Sequence, residues 1–136
     1  MKFETLFGGT RRVSNIKKHL IDWDRKSRSK FQFNVKKFLE PYWSRHVVFE
    51  EFPVVGTKMS LDFFNANKKV AIEVQGAQHT KYVKFFHGKY KNNYIAQLDR
   101  DNKKLKFCEI NDIKLIEVYE KDNLSESFFK DMGLIL

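Results

Sequence analysis

The stretch Ser60 to Gln75 reads Ser-Leu-Asp-Phe-Phe-Asn-Ala-Asn-Lys-Lys-Val-Ala-Ile-Glu-Val-Gln, and it constrains the fold more than any other part of the chain. Apolar Leu61 to Phe64, turn-forming Asn65 to Lys68 and apolar Val70 to Val74 predict a β-hairpin. Strand side chains alternate between faces, so Val70, Ile72 and Val74 share one face while Ala71, Glu73 and Gln75 share the other. A turn centred on Asn67-Lys68 sets Asp62 opposite Glu73. Directly opposed side chains have Cβ atoms about 4.5–5.5 Å apart, and like charges so placed are destabilising. A divalent cation with oxygen ligands would compensate. The alternative is a solvated strand face carrying two carboxylates.

Charge adds direction. The 136 residues fit one domain with a real core, and 42% hydrophobic content with 14 Phe excludes a disordered chain. A net charge of +9 favours polyanionic partners, nucleic acid or an anionic membrane surface. Cys108 is the single cysteine, which excludes an internal disulfide and a cysteine-based zinc site. No apolar run approaches a membrane span and no signal-peptide pattern opens the chain, so a soluble cytoplasmic protein is expected.

The excess charge is concentrated in residues 1–30, where nine Lys and Arg oppose Glu4, Asp22 and Asp24. Residues 1–28 are accordingly expected to be a basic arm and 29–136 the main domain. Arg11, Arg12, Lys17, Lys18, Arg25, Lys26, Arg28 and Lys30 are its candidate phosphate-binding residues. Gly8-Gly9 reads as a break, and Ser14 to Trp23 as a short helix with Ile16, Leu20 and Trp23 on one side.

A helix is predicted from an N-cap at Ser29 or Ser27 to Pro41, burying Phe31, Val35, Phe38 and Leu39. Gln32 falls within that stripe, where a polar side chain either finds a core hydrogen bond or borders a site. His46 to Val55 reads as a strand, with Pro53 marking an edge or bulge and Glu50 and Glu51 either as solvent-facing edge charges or as one further carboxylate for the Asp62–Glu73 site. Asn92 to Asn111 predicts a long helix with Tyr94, Leu98, Leu105 and Cys108 facing the core. Asp101 lies in that stripe, as a site residue or as a salt-bridge partner of Lys104 or Arg100. A strand over Ile113 to Tyr119 and a short helix within 123–136 complete an α/β chain with a mixed sheet flanked by helices.

These residues carry a resemblance. Asp62 followed by Glu73-Val74-Gln75 resembles the PD-(D/E)XK nuclease motif, with Gln75 where lysine is usual. Leu61-Asp62-Phe63, Ala71 to Gly76, Gln78-His79, Phe86-His87-Gly88, Gln97 to Asp101, Lys104 and Ile113 to Ile116 look like its very-short-patch-repair-like branch. That branch includes small phage and homing endonucleases, and the likeness covers roughly residues 29 to 120. It implies a restriction-endonuclease-like fold hydrolysing DNA phosphodiesters with Mg²⁺ or Mn²⁺. Asp62 and Glu73, with the Val74 carbonyl, would hold the metal. His79 would serve as acid or base, Asp101 would bind metal or hold that His, and Arg100 would contact DNA. Gln75 can orient a water but, unlike lysine, cannot act as a base or carry charge. His87 is expected to be a loop residue.

The leading expectation is thus a metal-dependent endonuclease acting on double-stranded DNA in a bacterial or phage-infected cell, cutting both strands only as a dimer or larger assembly. An inactive DNA-binding module with the same fold, and a structure-specific nuclease on branched DNA or RNA, are the alternatives.

Overall fold

The computed structural model describes residues 1–76 and 89–136, excepting the side chains of 89–95 and 97. Strands β1 (Lys2–Glu4) and β2 (Thr10–Arg12) form an antiparallel pair and a 3₁₀ turn covers Ile16–His19. Then follow helix α1 (Lys30–Trp43), strands β3 (Val48–Pro53), β4 (Ser60–Asn65) and β5 (Val70–Gln75), helix α2 (Lys89–Ile110), strand β6 (Lys114–Tyr119) and helix α3 (Glu126–Asp131).

β3 to β6 form one mixed sheet in sequence order. β3–β4 and β4–β5 are antiparallel, whereas β5–β6 is parallel. A parallel pair needs a long crossover, and α2 lies within it. The central hairpin takes the expected register, with Phe63 opposite Ile72, Phe64 opposite Ala71 and Asn65 opposite Val70. Its two faces divide the core as alternation requires. Val70 and Ile72 join Val35, Leu39 and Trp43 of α1 and Phe129 of α3, while Ala71 joins Phe107 and Cys108 of α2. The molecule is therefore mixed α/β, with helices on both faces of the sheet.

Ser29 caps α1, its side chain accepting from the Gln32 N–H at 3.0 Å. The helix does not stop at Pro41 but continues through it to Trp43. Pro41 forfeits one bond, the N–H donation to the Lys37 carbonyl, and the helix ends two residues later. Pro53 ends β3, an edge strand where its missing N–H costs no ladder bond.

Three expectations change. Residues 1–13 contain the β1–β2 pair, and Phe3 is buried against Phe52, Phe64 and Phe107. The helix expected within Ser14 to Trp23 is only the 3₁₀ turn, and Leu20 is about half exposed. On α2, Leu98 and Leu105 lie on the solvent side, 43% and 44% exposed, while Lys104, Phe107 and Cys108 turn inward. The inward face differs from the apolar stripe because it carries charged Asp101 and Lys104 beside only a short apolar segment. The Tyr94 side chain lies outside the described residues.

Candidate active site

The hairpin ladder opens at Asp62 and Glu73. Beyond the Phe63–Ile72 pair, the carboxylates take over the backbone donors. The Asp62 N–H donates to Glu73 Oε2 at 2.7 Å, and the Val74 N–H donates to Asp62 Oδ2 at 2.8 Å. Each acid thus satisfies the other strand's main chain. Both side chains are buried.

The sheet register puts more acid at the same level. Pairing of Glu50 with Phe63 and of Phe52 with Leu61 sets Glu51 opposite Asp62, and Glu73 pairs with Glu117 of β6. Glu51, Asp62, Glu73 and Glu117 therefore form a row across four adjacent strands. Such a row is unfavourable unless each charge is answered. Glu51 accepts from Arg28, Gln32 and Ser60. Glu73 Oε1 accepts from Lys104 Nζ at 2.6 Å in a largely buried ion pair. Glu117 accepts from the Tyr119 hydroxyl, whose pKa that bond raises to about 12. Asp62 has the weakest compensation. Burial first, and then the Glu73 carboxylate, push its pKa up to about 8, against the opposing Val74 N–H.

Glu51 has φ of +54° in the middle of a strand. Non-glycine residues rarely adopt that conformation, and its cost of order 1–3 kcal/mol is found mostly at functional sites. The turned backbone aims Glu51 at Arg28, Gln32 and Ser60. Beside it, Glu50 accepts from Ser27, Gln32 and Lys36. Lys36 is 0% exposed and also donates to the Arg25 carbonyl at 2.7 Å. A fully buried lysine is rare and demands such partners. Of the two readings open for these glutamates, solvent-facing charge or site carboxylate, the structure makes both the centre of a partly buried polar network that reaches the site. Gln32 does both things its position allowed, bonding within the core and bordering the site.

A cavity of about 490 Å³ gathers these groups, lined by Gln32, Asp62, Glu73, Gln75, Asp101 and Lys104 among others. Arg28, Lys58, Val74 and Arg100 also reach it. Four of the five expected catalytic residues, Asp62, Glu73, Gln75 and Asp101, are thus brought together, as are Arg28 and Arg100 of the expected phosphate contacts. His79, the fifth, and His87 lie outside the described residues. Lys104, one of the alternative partners for Asp101, meets Glu73. Lys18, Arg25 and Lys26 line a separate cavity of about 270 Å³ that shares Arg28 with the first. Lys30 borders a third, and Arg11, Arg12 and Lys17 are exposed away from the carboxylates. Glu117 is a neighbouring acid that sequence reasoning missed, whereas Glu51 is one of the two glutamates that the sequence allows to reach the Asp62–Glu73 pair. Alternation in β3 and β6 could have aligned them only once the strand pairing was known.

Among the described residues, no group of three or more His, Cys, Asp or Glu side chains is placed to hold a metal ion. Likewise, no described helix is long and apolar enough to cross a membrane.

Comparison with known proteins finds viral relatives. A 66-residue stretch, 48% of this chain and 43% of the relative, is 41% identical to uncharacterized protein 094L of Frog virus 3 (isolate Goorha). Over 103 residues, 72% of this chain and 53% of the relative, it is 30% identical to uncharacterized protein 033L of Invertebrate iridescent virus 3. Uncharacterized protein 307L of Invertebrate iridescent virus 6 is 33% identical over 84 residues, 58% of this chain and 42% of its own. No family model and no solved structure matches. The chain spans about half the length of the relatives it matches, and it is similar to a set of iridescent-virus and frog-virus proteins.

Proposed function

We propose that this chain is a Mg²⁺-dependent DNA endonuclease of the PD-(D/E)XK type, with a restriction-endonuclease-like fold. The observation that carries the reading is the opened hairpin, in which Asp62 and Glu73 converge on one cavity with Lys104, Gln75 and Asp101. A mixed four-stranded sheet with helices on both faces agrees with it.

The donor set fits Mg²⁺. That ion keeps several waters and is commonly held by one or two carboxylates together with substrate phosphate, not by an all-protein cage. Asp62 and Glu73 would hold it, with the Val74 carbonyl as a neutral oxygen ligand. When bound, the ion supplies a nucleophilic hydroxide and neutralises charge on the phosphoryl oxygens. The ionised carboxylate pair that burial disfavours is the form such a cation stabilises.

The chain's own residues have separable tasks. Lys104, held at 2.6 Å from Glu73, brings to the cavity the positive charge that Gln75 cannot carry. In this reading its ammonium would stabilise negative charge developing on the scissile phosphate. Gln75 is buried at the cavity wall, where its amide can orient a water. Arg28 and Arg100 line the same cavity and would position flanking phosphates. Cutting both strands would take two copies of this single site.

The test is cleavage of supercoiled plasmid with Mg²⁺, Mn²⁺ or EDTA by the wild type, Asp62→Ala and Glu73→Ala. Metal-dependent nicking lost in both variants is expected, and the ends show whether one strand or two is cut. Salt-sensitive DNA binding without cleavage, unchanged in either variant, would favour a binding module instead.

A further inference from the structure

The hairpin tip between β1 and β2 presents an aromatic ring to solvent. Phe7 is 78% exposed, the most exposed large hydrophobic side chain among the described residues. Its turn is built to hold that position. The Thr5 N–H donates to the Gly9 carbonyl at 3.0 Å, and the Thr5 hydroxyl donates to the Gly8 carbonyl at 2.6 Å. Gly8 and Gly9 take φ of +89° and +76°, which side-chain-bearing residues rarely adopt. The strand entering the turn is fixed to the segment just after α2, where Asn111 bonds both the N–H and the carbonyl of Glu4. An exposed phenylalanine on an ordered turn has no role in the core, which this hairpin joins through Phe3.

Its surroundings indicate a ligand. Phe7, Arg11, Thr5, Thr10, Gly8 and Gly56 line a notch of about 170 Å³. One wall is an aromatic ring and another a guanidinium side chain, and Arg12 is exposed alongside in β2. Gly56 belongs to the β3–β4 turn and lies so close that an added Cβ would fall 3.6 Å from Thr5 Cβ and 3.9 Å from Phe7 Cδ2. Two residues later in the same turn, Lys58, Met59 and Ser60 form part of the wall of the carboxylate cavity. The ring is thus joined by one short turn to the candidate active site, with basic side chains on both sides of that turn.

We propose that Phe7 is a stacking platform for an unpaired nucleobase of the DNA strand that enters the carboxylate cavity. The substrate is then DNA with single-stranded or locally opened segments, such as flaps, gaps and branches. This rests on the nuclease reading above. Aromatic rings beside cationic side chains are the general solution for holding unpaired bases without sequence preference, because every base has a π-face. Arg11, Arg12 and Lys58 hold the backbone, and the Phe7 ring takes the base.

The experiment measures binding of fluorescein-labelled oligonucleotides in EDTA, where no cleavage occurs, by wild type, Phe7→Ala and Phe7→Trp. The probes are a single strand, a flapped duplex and an uninterrupted duplex of equal length. Phe7→Ala is expected to weaken single-strand and flap binding about 5- to 150-fold, the range for loss of one stacked base. Duplex affinity is expected to stay within about twofold, and Phe7→Trp to retain wild-type binding. A 2-aminopurine base at the flap junction is expected to show stacking with wild type that is lost in Phe7→Ala. Equal binding of all three probes by wild type and Phe7→Ala would overturn the proposal. So would Phe7-dependent capture on phosphatidylserine vesicles without Phe7-dependent DNA binding. Because the assay contains no metal, the two readings fail separately. Glu73-dependent cleavage with unaltered Phe7→Ala binding removes only the stacking platform, and Phe7-dependent binding without cleavage removes only the nuclease.

Discussion

Replacing Asp62 by asparagine should change how stability depends on pH. The Asp62 carboxyl is buried beside Glu73, and its pKa rises from 3.8 to about 8. An acid whose folded pKa lies above its unfolded value keeps its proton longer in the native state. Its contribution to stability is therefore complete below about pH 4, declines as pH rises, and is lost above about pH 8. One proton sets a limiting slope of about 1.4 kcal/mol per pH unit. From pH 5 to pH 8 the limit is about 4 kcal/mol, and structural relaxation around the pair reduces it to roughly 2–4 kcal/mol. The substituted amide keeps an oxygen for the Val74 N–H but cannot ionise. The assay is urea denaturation of both proteins in EDTA at pH 5, 6, 7 and 8. Subtracting the curves cancels the histidines and surface acids, so Asp62→Asn should gain on wild type by about 2–4 kcal/mol across that range. Added Mg²⁺ should stabilise the wild type more at pH 8 than at pH 6, since it binds the ionised pair. Parallel curves for the two proteins, with no pH-dependent difference, would refute the argument.

Lys36→Ala should cost about 3–5 kcal/mol in chemical denaturation, because it leaves Glu50 largely buried without its ammonium partner. Phe52→Ala should cost a similar 3–5 kcal/mol, roughly the scale for a buried aromatic, since Phe52 is fully buried against Phe3, Phe49 and Phe64. Asp112→Gly should raise stability by roughly 0.5–1 kcal/mol in thermal melts, by relieving φ of +55° at the exposed junction after α2. Lys104→Ala should leave plasmid binding nearly intact while slowing cleavage by about 10²–10³-fold, the scale for losing one stabilising group of the transition state.

The hairpin was legible because its two strands alternate cleanly and its turn is short, which fixes the register and hence Asp62 against Glu73. Gln32 was legible as an anomaly, a polar residue on a buried stripe. What sequence could not give was pairing between strands distant in the chain. Glu51 and Glu117 join the acidic row only through β3–β4 and β5–β6 contacts, and the left-handed backbone at Glu51 leaves no local mark. Periodicity failed on α2 because of what its inner face meets. The helix turns Asp101 and Lys104 toward the cavity, so its apolar Leu98 and Leu105 lie outside. The β1–β2 pair was missed because three-residue strands show no alternation, and Gly8-Gly9 read as a break is the turn that joins them. Lys104 was noticed only as one alternative partner for Asp101 along the helix, whereas the structure pairs it with Glu73 across the sheet.

The central claim is that the Asp62–Glu73 pair is the metal cradle of a nuclease. Its most direct test is single-turnover nicking of supercoiled plasmid at saturating Mg²⁺ by wild type and Glu73→Gln. The glutamine is nearly isosteric and keeps an oxygen for the Asp62 N–H, but it loses both the anionic donor and the Lys104 ion pair, so the variant's fold is checked by circular dichroism before rates are compared. Mg²⁺-dependent nicking by the wild type is expected, with a rate at least about 10³-fold lower in the variant. Nicking by Glu73→Gln at the wild-type rate, or none by either protein on supercoiled, duplex or branched DNA, would contradict the claim.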